Sequence, residues 1–133
     1  RTEFLVGART AFEMIIQAFA EGDRELLESL LSDEVYGNFV AAITSREGAN
    51  ETLENTLIRI VSGDPIEAYL DGSVANVTVK IVSEQINVTR DAEGEVVDGD
   101  PDHVSEITDI WTFARDTQTS DPNWELVATR SLE

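Results

Sequence analysis

The chain has 133 residues, the size of one domain whose core is large enough to need no disulfide or metal ion for stability. It contains no cysteine, which excludes a disulfide framework, a thiolate metal site and a thiol nucleophile. Its 27 acidic and 9 basic residues give a formal net charge of −18, so we expect no nucleic-acid partner, whereas a basic peptide would be attracted at long range.

The first residue is Arg1, and no initiator methionine, charged leader or apolar signal segment precedes the first helical pattern. No stretch approaches the roughly 20 consecutive apolar residues of a membrane span. We therefore expect the chain to be a piece of a longer protein.

The first fifty residues follow the period of α-helices. From Thr2 to Glu21 the apolar residues recur at steps of three and four, which is the stripe of an amphipathic helix that Thr2 can cap. Gly22 suits the left-handed position after that helix. Asp23 and Ser32 are capping residues that predict a short second helix and then a third, which ends near Gly48.

Beyond the helices the period changes to two, which is typical of strands. Apolar runs at 57–61 and 66–70 are separated by Gly63-Asp64-Pro65, which predicts a bend or hairpin between two short strands. Asp71-Gly72 predicts a tight turn. In the following strand the apolar residues move from odd to even positions, so we predict a β-bulge near Ser83–Gln85.

An acidic connection from Asp91 to Asp102 leads to two final strands that hold both tryptophans. Trp111 and Phe113 share one face of the first, Trp124 begins the second, and 120–123 has the composition of a turn. Three helices followed by four or five antiparallel strands predict an α+β fold. The helices would pack on one face of a strongly curved sheet, which makes a cone with a hollow on its open side.

Two segments carry a resemblance to a known family, AFEMIIQAFAEGDRELLESLLSDEVYGNF (Ala11–Phe39) and ITDIWTFARDTQTSDPNWELVATRS (Ile107–Ser131). Over essentially its whole length, residues 1–133, the chain resembles the C-terminal domain of the Tim44 family, in its bacterial branch. The resemblance implies a cone of the nuclear-transport-factor-two type. It also implies a parent protein with an N-terminal membrane anchor and a polar linker, acting as a scaffold in protein translocation or membrane-protein assembly and not as an enzyme.

The resemblance further implies a hydrophobic pocket that Trp111, Phe113 and Trp124 help to line, and we add Phe12, Tyr36 and Phe39 from the helices. The expected partner is a basic protein or peptide, with an apolar small ligand or lipid tail as a further occupant of the pocket. The helical half is acidic, so membrane contact is expected only through the anchor, at the cytoplasmic face of a bacterial inner membrane. We expect no cofactor, no metal and no catalytic residue, and a homodimer is a further hypothesis.

An alternative function is that of a cone-fold enzyme of the isomerase or dehydratase type. Such sites use a pocket carboxylate or histidine with a tyrosine donor. Asp109 and His103 could supply the first group, and Tyr36 or Tyr69 the second. The hypothesis requires Asp109 or His103 deep in the pocket with a tyrosine in hydrogen-bond reach.

The acidic connection also has part of the pattern of a calcium loop. Asp98, Asp100 and Asp102 match the first three ligand positions, and Asp109 falls at the twelfth. However, His103 replaces the required glycine and strands flank the segment, so a solvated acidic hairpin tip is the preferred interpretation.

Overall fold

The computed structural model describes residues 2–119 and 124–132, and the side chains of 7–119 and 124–130. It confirms the α+β class, with three helices followed by a five-stranded, curved antiparallel sheet. The predicted turn at 120–123 lies outside the described residues. The elements are α1 (Thr2–Glu21), α2 (Arg24–Leu30), α3 (Asp33–Gly48), β1 (Thr52–Asp71), β2 (Val74–Arg90), β3 (Val96–Gly99), β4 (Ser105–Asp116) and β5 (Glu125–Leu132).

The boundaries between the helices lie where the capping residues predict them. Gly22 has a φ of 74°, the left-handed conformation that ends α1. The Asp23 carboxylate accepts a hydrogen bond from the Leu26 N–H at 3.1 Å, and the Ser32 hydroxyl accepts one from the Val35 N–H at 3.3 Å. Each cap satisfies a backbone donor that the first turn of a helix leaves without a partner.

One arginine braces the end of α1 against α3. Arg46 donates to the carbonyl oxygens of Phe19 and Ala20 at 2.9 and 3.2 Å, and its guanidinium lies 5.2 Å from the centre of the Phe19 ring. Partial burial lowers the pKa of Arg46, while neighbouring Glu47 acts in the opposite direction. The carbonyls at a helix C-terminus favour a cation, so this contact holds the Phe19 end of α1 in place.

The sheet has the order β1-β2-β4-β5, and β3 pairs with β2 beyond the end of β4. The predicted hairpin at 63–65 is wrong, because β1 is one continuous strand in which Pro65 pairs with Val79. β1 lies at an edge of the sheet, where the missing N–H of a proline costs no ladder hydrogen bond. Extra residues on β1 at Ile58, Val61 and Ile66 bend the strand and curve the sheet.

The β-bulge predicted near Ser83–Gln85 is not on β2, which pairs with β4 without a register shift from Val74 to Gln85. The extra residue at this level is Ile58 of β1, between Leu57 and Arg59. The odd-numbered residues of β2 therefore all face the concave side of the sheet, and from Ser83 onward their side chains are polar instead of apolar. The physical reason is that this end of the sheet lines a cavity, as described below.

The core lies between α1 and the concave face of the sheet. Its fully buried members from these two layers include Phe12 and Ile15 of α1, Val79 of β2, Phe113 of β4 and Leu126 of β5. Phe12 contacts the sheet most directly, since its ring centre lies 4.7 Å from that of Trp111. The helices thus pack on one face of the sheet, as predicted.

Strand β3 forms inside the acidic connection, where the sequence predicted no strand, and it depends on Gly99. This residue has a φ of 85°, and a Cβ atom there would collide with the backbone of Asn87 in β2. Gly94 in the preceding turn has a similar φ of 83° but open space around it.

We expect Gly99→Ala to destabilise the domain more than Gly94→Ala. Both substitutions force a left-handed residue, at a cost of about 1–2 kcal/mol, but only Gly99→Ala also displaces a strand, which adds about 1–3 kcal/mol. Urea denaturation of the two variants measures the difference. Equal free energies of unfolding would contradict the close approach of β3 to β2.

Candidate functional site: a cavity with a polar floor

The concave face of the sheet is not filled at one end, where an open cavity of about 530 Å³ lies between the helices and the sheet. This volume is within the range of small-molecule sites. The cavity is lined by two residues of α1, three of α3 and seven of the sheet: Ile16, Phe19, Asn38, Phe39, Ala42, Leu53, Asn55, Gln85, Asn87, Ile107, Asp109 and Trp111.

The two ends of the concave face differ in polarity. Beneath α1, the β2 residues Val79 and Ile81 are buried apolar side chains. Continuing along the same face, Ser83 and Gln85 are equally buried but polar, and Asn87 follows them. Side chains two residues apart in a strand share a face, so the change occurs within one row of side chains. The polar end of that row is the floor of the cavity.

The floor is organised by side-chain amides from two strands. Asn55 of β1 lies directly opposite Asn87 of β2. Its Nδ2 donates to Gln85 Oε1 at 2.7 Å and to Asn87 Oδ1 at 2.6 Å. Asn87 Nδ2 donates to Gln85 Oε1 at 3.2 Å, and Gln85 Nε2 donates to Ser83 Oγ at 2.8 Å. These mutual bonds fix the side-chain positions before any ligand binds.

Aromatic and aliphatic side chains form the walls. Trp111 is only 5% exposed and lies between Phe12 and Phe113, whose tilted rings have their centres 4.7 and 6.3 Å from that of the indole. On the helical side, Phe19 and Phe39 meet edge to face with their centres 5.3 Å apart. Such contacts hold the rings in fixed orientations, so the walls of the cavity are formed in advance.

Asp109 is the one charged side chain among the described residues of the lining. It is 8% exposed and lies on β4 opposite Ile81, next to Trp111 along the same face. Asp109 takes part in a further interaction in the folded protein. A charge in this position acts on a ligand through a medium of lower effective dielectric constant than water.

Of the residues predicted to line the pocket, Trp111 and Phe39 are in the wall of the cavity. Phe12 and Phe113 lie in the core, where both are almost completely buried. They support Trp111 from behind, because each ring contacts the indole.

The remaining two predicted residues lie elsewhere. Tyr36 is half-buried and packs against the core outside the cavity lining. Trp124 is also half-buried, and it borders a second, more polar depression of about 330 Å³ together with Arg115 and Glu125. The two tryptophans therefore have different environments.

The geometry required by the enzyme hypothesis is present only in part. Asp109 lies in the cavity, but His103 is exposed in the turn before β4 and Tyr69 is 52% exposed near the end of β1. Among the described residues, neither a tyrosine nor a histidine lines the cavity beside the carboxylate. A lone acid without a donor does not form a recognisable acid–base site.

The calcium pattern of the acidic connection does not assemble into a site. Asp98 lies on β3, while Asp100 accepts a hydrogen bond from the backbone N–H of Asp102 at 2.9 Å. Within residues 2–119 and 124–132, no group of three or more His, Cys, Asp or Glu side chains is arranged to hold a metal ion. In the same ranges, no helix is both long and apolar enough to cross a membrane.

Sequence reasoning missed the polar floor of the cavity. Ser83, Gln85 and Asn87 alternate with the same parity as the apolar residues that precede them. This unchanged parity was the signal that all three residues share the concave face. It was overlooked because a buried face was expected to stay apolar. Asn55 could not be assigned to the floor without the register between β1 and β2.

Two solved structures share the fold. The intermembrane space region of the chloroplast protein ARC6 superposes with a TM-score of 0.62 over 94% of this chain and 95% of that chain, at 17% identity. A conserved protein from Planctomyces limnophilus gives a TM-score of 0.51 over 99% and 100% of the two chains, also at 17% identity. At these identities the likeness concerns the fold alone.

Curated relatives lead to the same family as the resemblance noted in the sequence. The probable mitochondrial import inner membrane translocase subunit tin-44 of Caenorhabditis elegans is 29% identical over 124 residues, which are 90% of this chain and 29% of that protein. The mitochondrial import inner membrane translocase subunit TIM44 of Mus musculus is 22% identical over 115 residues, 85% of this chain and 25% of that protein. The chain thus spans less than a third of these relatives. The profile of the Tim44-like domain matches residues 1–131, and the chain belongs to this family.

Proposed function

We propose that this domain is a non-catalytic binding module of a membrane-anchored protein that takes part in protein translocation or membrane-protein assembly. Membership of the Tim44-like family and the translocase names of its relatives support the context. The observation that carries the binding role is the open, preformed cavity with mainly apolar walls. We place the parent protein at the inner membrane of a bacterium, with this domain on the cytoplasmic face and attached through other parts of the chain.

The proposed partner is a basic amphipathic peptide segment. A net charge of −18 raises the local concentration of cations around the domain and speeds their encounter with it. The apolar walls, with Phe19, Phe39 and Trp111, would then bury apolar side chains of the peptide. An apolar small molecule or a lipid tail would use the same walls, and a pair of domains could present two such cavities.

Titration with a cationic amphipathic peptide tests this proposal. We expect binding that weakens several-fold as salt is raised from about 0.05 to 0.3 M, because the steering charges are screened. A peptide with the same apolar residues and glutamate in place of lysine is the control, and we expect it to bind far more weakly. No detectable binding of the cationic peptide at low salt would remove the mechanism.

The cavity's part in binding is tested by Ala42→Trp. Ala42 lies on the exposed surface of α3 and lines the cavity, so an indole there fills the space without entering the core. Ala41→Trp adds the same side chain at the neighbouring exposed position, which is not part of the lining. We expect the first variant to lose most of the peptide affinity and the second to keep it. Equal affinities would place the peptide elsewhere on the surface.

A further inference from the structure

We infer that the cavity receives an alkylammonium group, with its apolar stem against the aromatic walls and its charged end beside Asp109 and the amide floor. In the proposed function, on which this inference rests, the group is a lysine side chain of the peptide partner. The proposal thus places one positive charge of the peptide inside the cavity, in addition to those attracted by the surface.

The charge of the lining carries the first step. Asp109 is its one charged side chain among the described residues, and neither lysine nor arginine accompanies it there. A ligand carboxylate would bring a second negative charge next to Asp109, which is only 8% exposed, whereas an ammonium would be attracted. Asp109 already takes part in an interaction in the folded protein, and an ionised carboxylate offers about four acceptor sites in all.

The hydrogen bonds of the floor carry the second step. Asn55 Nδ2 gives both of its hydrogens to Gln85 and Asn87, which leaves Asn55 Oδ1 as an acceptor. Within the described residues, every buried side-chain nitrogen or oxygen has a hydrogen-bond partner. Asn55 Oδ1 accepts none of the floor's hydrogen bonds, so it is not a buried atom and is accessible from the cavity that Asn55 lines. An ammonium carries three donors and no acceptor, which suits a floor of a carboxylate and a free amide oxygen.

The shape carries the third step. The walls that lead to the floor are apolar side chains from four elements, including Phe19 of α1, Phe39 of α3 and Ile107 of β4. A long alkyl stem would bury its methylenes against them while its charged end reaches the polar groups. A wholly apolar ligand would displace water from Asp109 and from Asn55 Oδ1 without offering either of them a hydrogen-bond donor, which is unfavourable.

The test compares three ligands with the same alkyl chain on the unmodified domain, n-octylammonium, n-octanol and n-octanoate, by isothermal titration calorimetry. About 0.3 M sodium chloride screens the general surface field. We expect n-octylammonium to bind at least about tenfold more tightly than n-octanol, and n-octanoate to bind most weakly. Ala42→Trp should abolish binding of all three, which locates them in the cavity.

Asp109→Asn keeps the size of the side chain and removes its charge. We expect it to lower the affinity for n-octylammonium about tenfold while that for n-octanol changes less than about twofold. Asp98→Asn makes the same change of net charge at an exposed position of β3 and should alter neither affinity. The ligand series on the unmodified domain needs no variant, so the inference stays testable if Asp109→Asn lowers stability.

The outcomes separate this inference from the proposed function. If n-octanol binds in the cavity as tightly as n-octylammonium, the ammonium preference is overturned while the apolar binding role stands. A cationic peptide that displaces n-octylammonium, and loses this ability when its lysines are replaced by norleucine, supports lysine as the source. If that peptide binds without displacing n-octylammonium, the lysine assignment is wrong although the domain still binds peptide. If no peptide binds at all, the proposed function itself fails.

Discussion

Phe12→Ala is expected to lower the free energy of unfolding by about 3–5 kcal/mol. Phe12 is 0% exposed and joins α1 to the sheet through its contact with Trp111. Removing the ring loses its burial and leaves a void that the rigid sheet cannot close. Urea denaturation followed by tryptophan fluorescence measures the change, and Trp111, which contacts the site of the substitution, contributes to that signal.

Met14→Ala on the same helix is the matched control. Met14 is 38% exposed, and we expect a change of less than about 1 kcal/mol because little apolar surface is lost. If Phe12→Ala costs no more than Met14→Ala, α1 does not pack on the sheet as described. Such a result would also remove the support behind Trp111, and with it the preformed wall of the cavity.

Leu126→Ala is expected to cost about 2–5 kcal/mol. Leu126 of β5 is 0% exposed and lies opposite Phe113. Its backbone carbonyl accepts a hydrogen bond from the Ser32 N–H at 2.9 Å, next to a parallel bridge between Leu126 and Leu31. The last strand thus joins the connection between α2 and α3, so the substitution should loosen the sheet and the helices together.

Thermal and urea unfolding followed by circular dichroism measure the effect of Leu126→Ala. Thr129→Ala is the control, because Thr129 is exposed on the same strand and should change stability by less than about 1 kcal/mol. Loss of helix and strand signals in one transition at lower denaturant is the expected result. Separate transitions would show that β5 and the helices are not coupled.

The helical half was predictable nearly to the residue. Capping at Asp23 and Ser32, together with the left-handed Gly22, depends on side-chain and backbone properties that act within one turn of the chain. The turn after β1 followed from Asp71-Gly72 for the same reason, and Gly72 has a φ of 62°. Local chemistry decided these features, so local sequence was sufficient.

The strands were predicted less well because their environment is set by distant residues. Pro65 suggested a break, but β1 continues through it since it is an edge strand. The change of parity in β2 suggested a bulge, but the strand continues and its concave face becomes polar at Ser83. The position of a strand in the sheet and its contact with a cavity depend on other elements, so they cannot be read from the sequence of that strand alone.

The sequence by itself determined the α+β class, the helix boundaries and the family. The reason is that periodicity, capping residues and the family resemblance of Ala11–Phe39 and Ile107–Ser131 are properties of the chain read in order. Only the tertiary structure decided which side chains meet. Asn55, Gln85 and Asp109 come from three strands, and the register and curvature of the sheet bring them to one cavity. The register depends on the burial of a whole face and on the bulges of β1, so it is a collective property of the folded sheet.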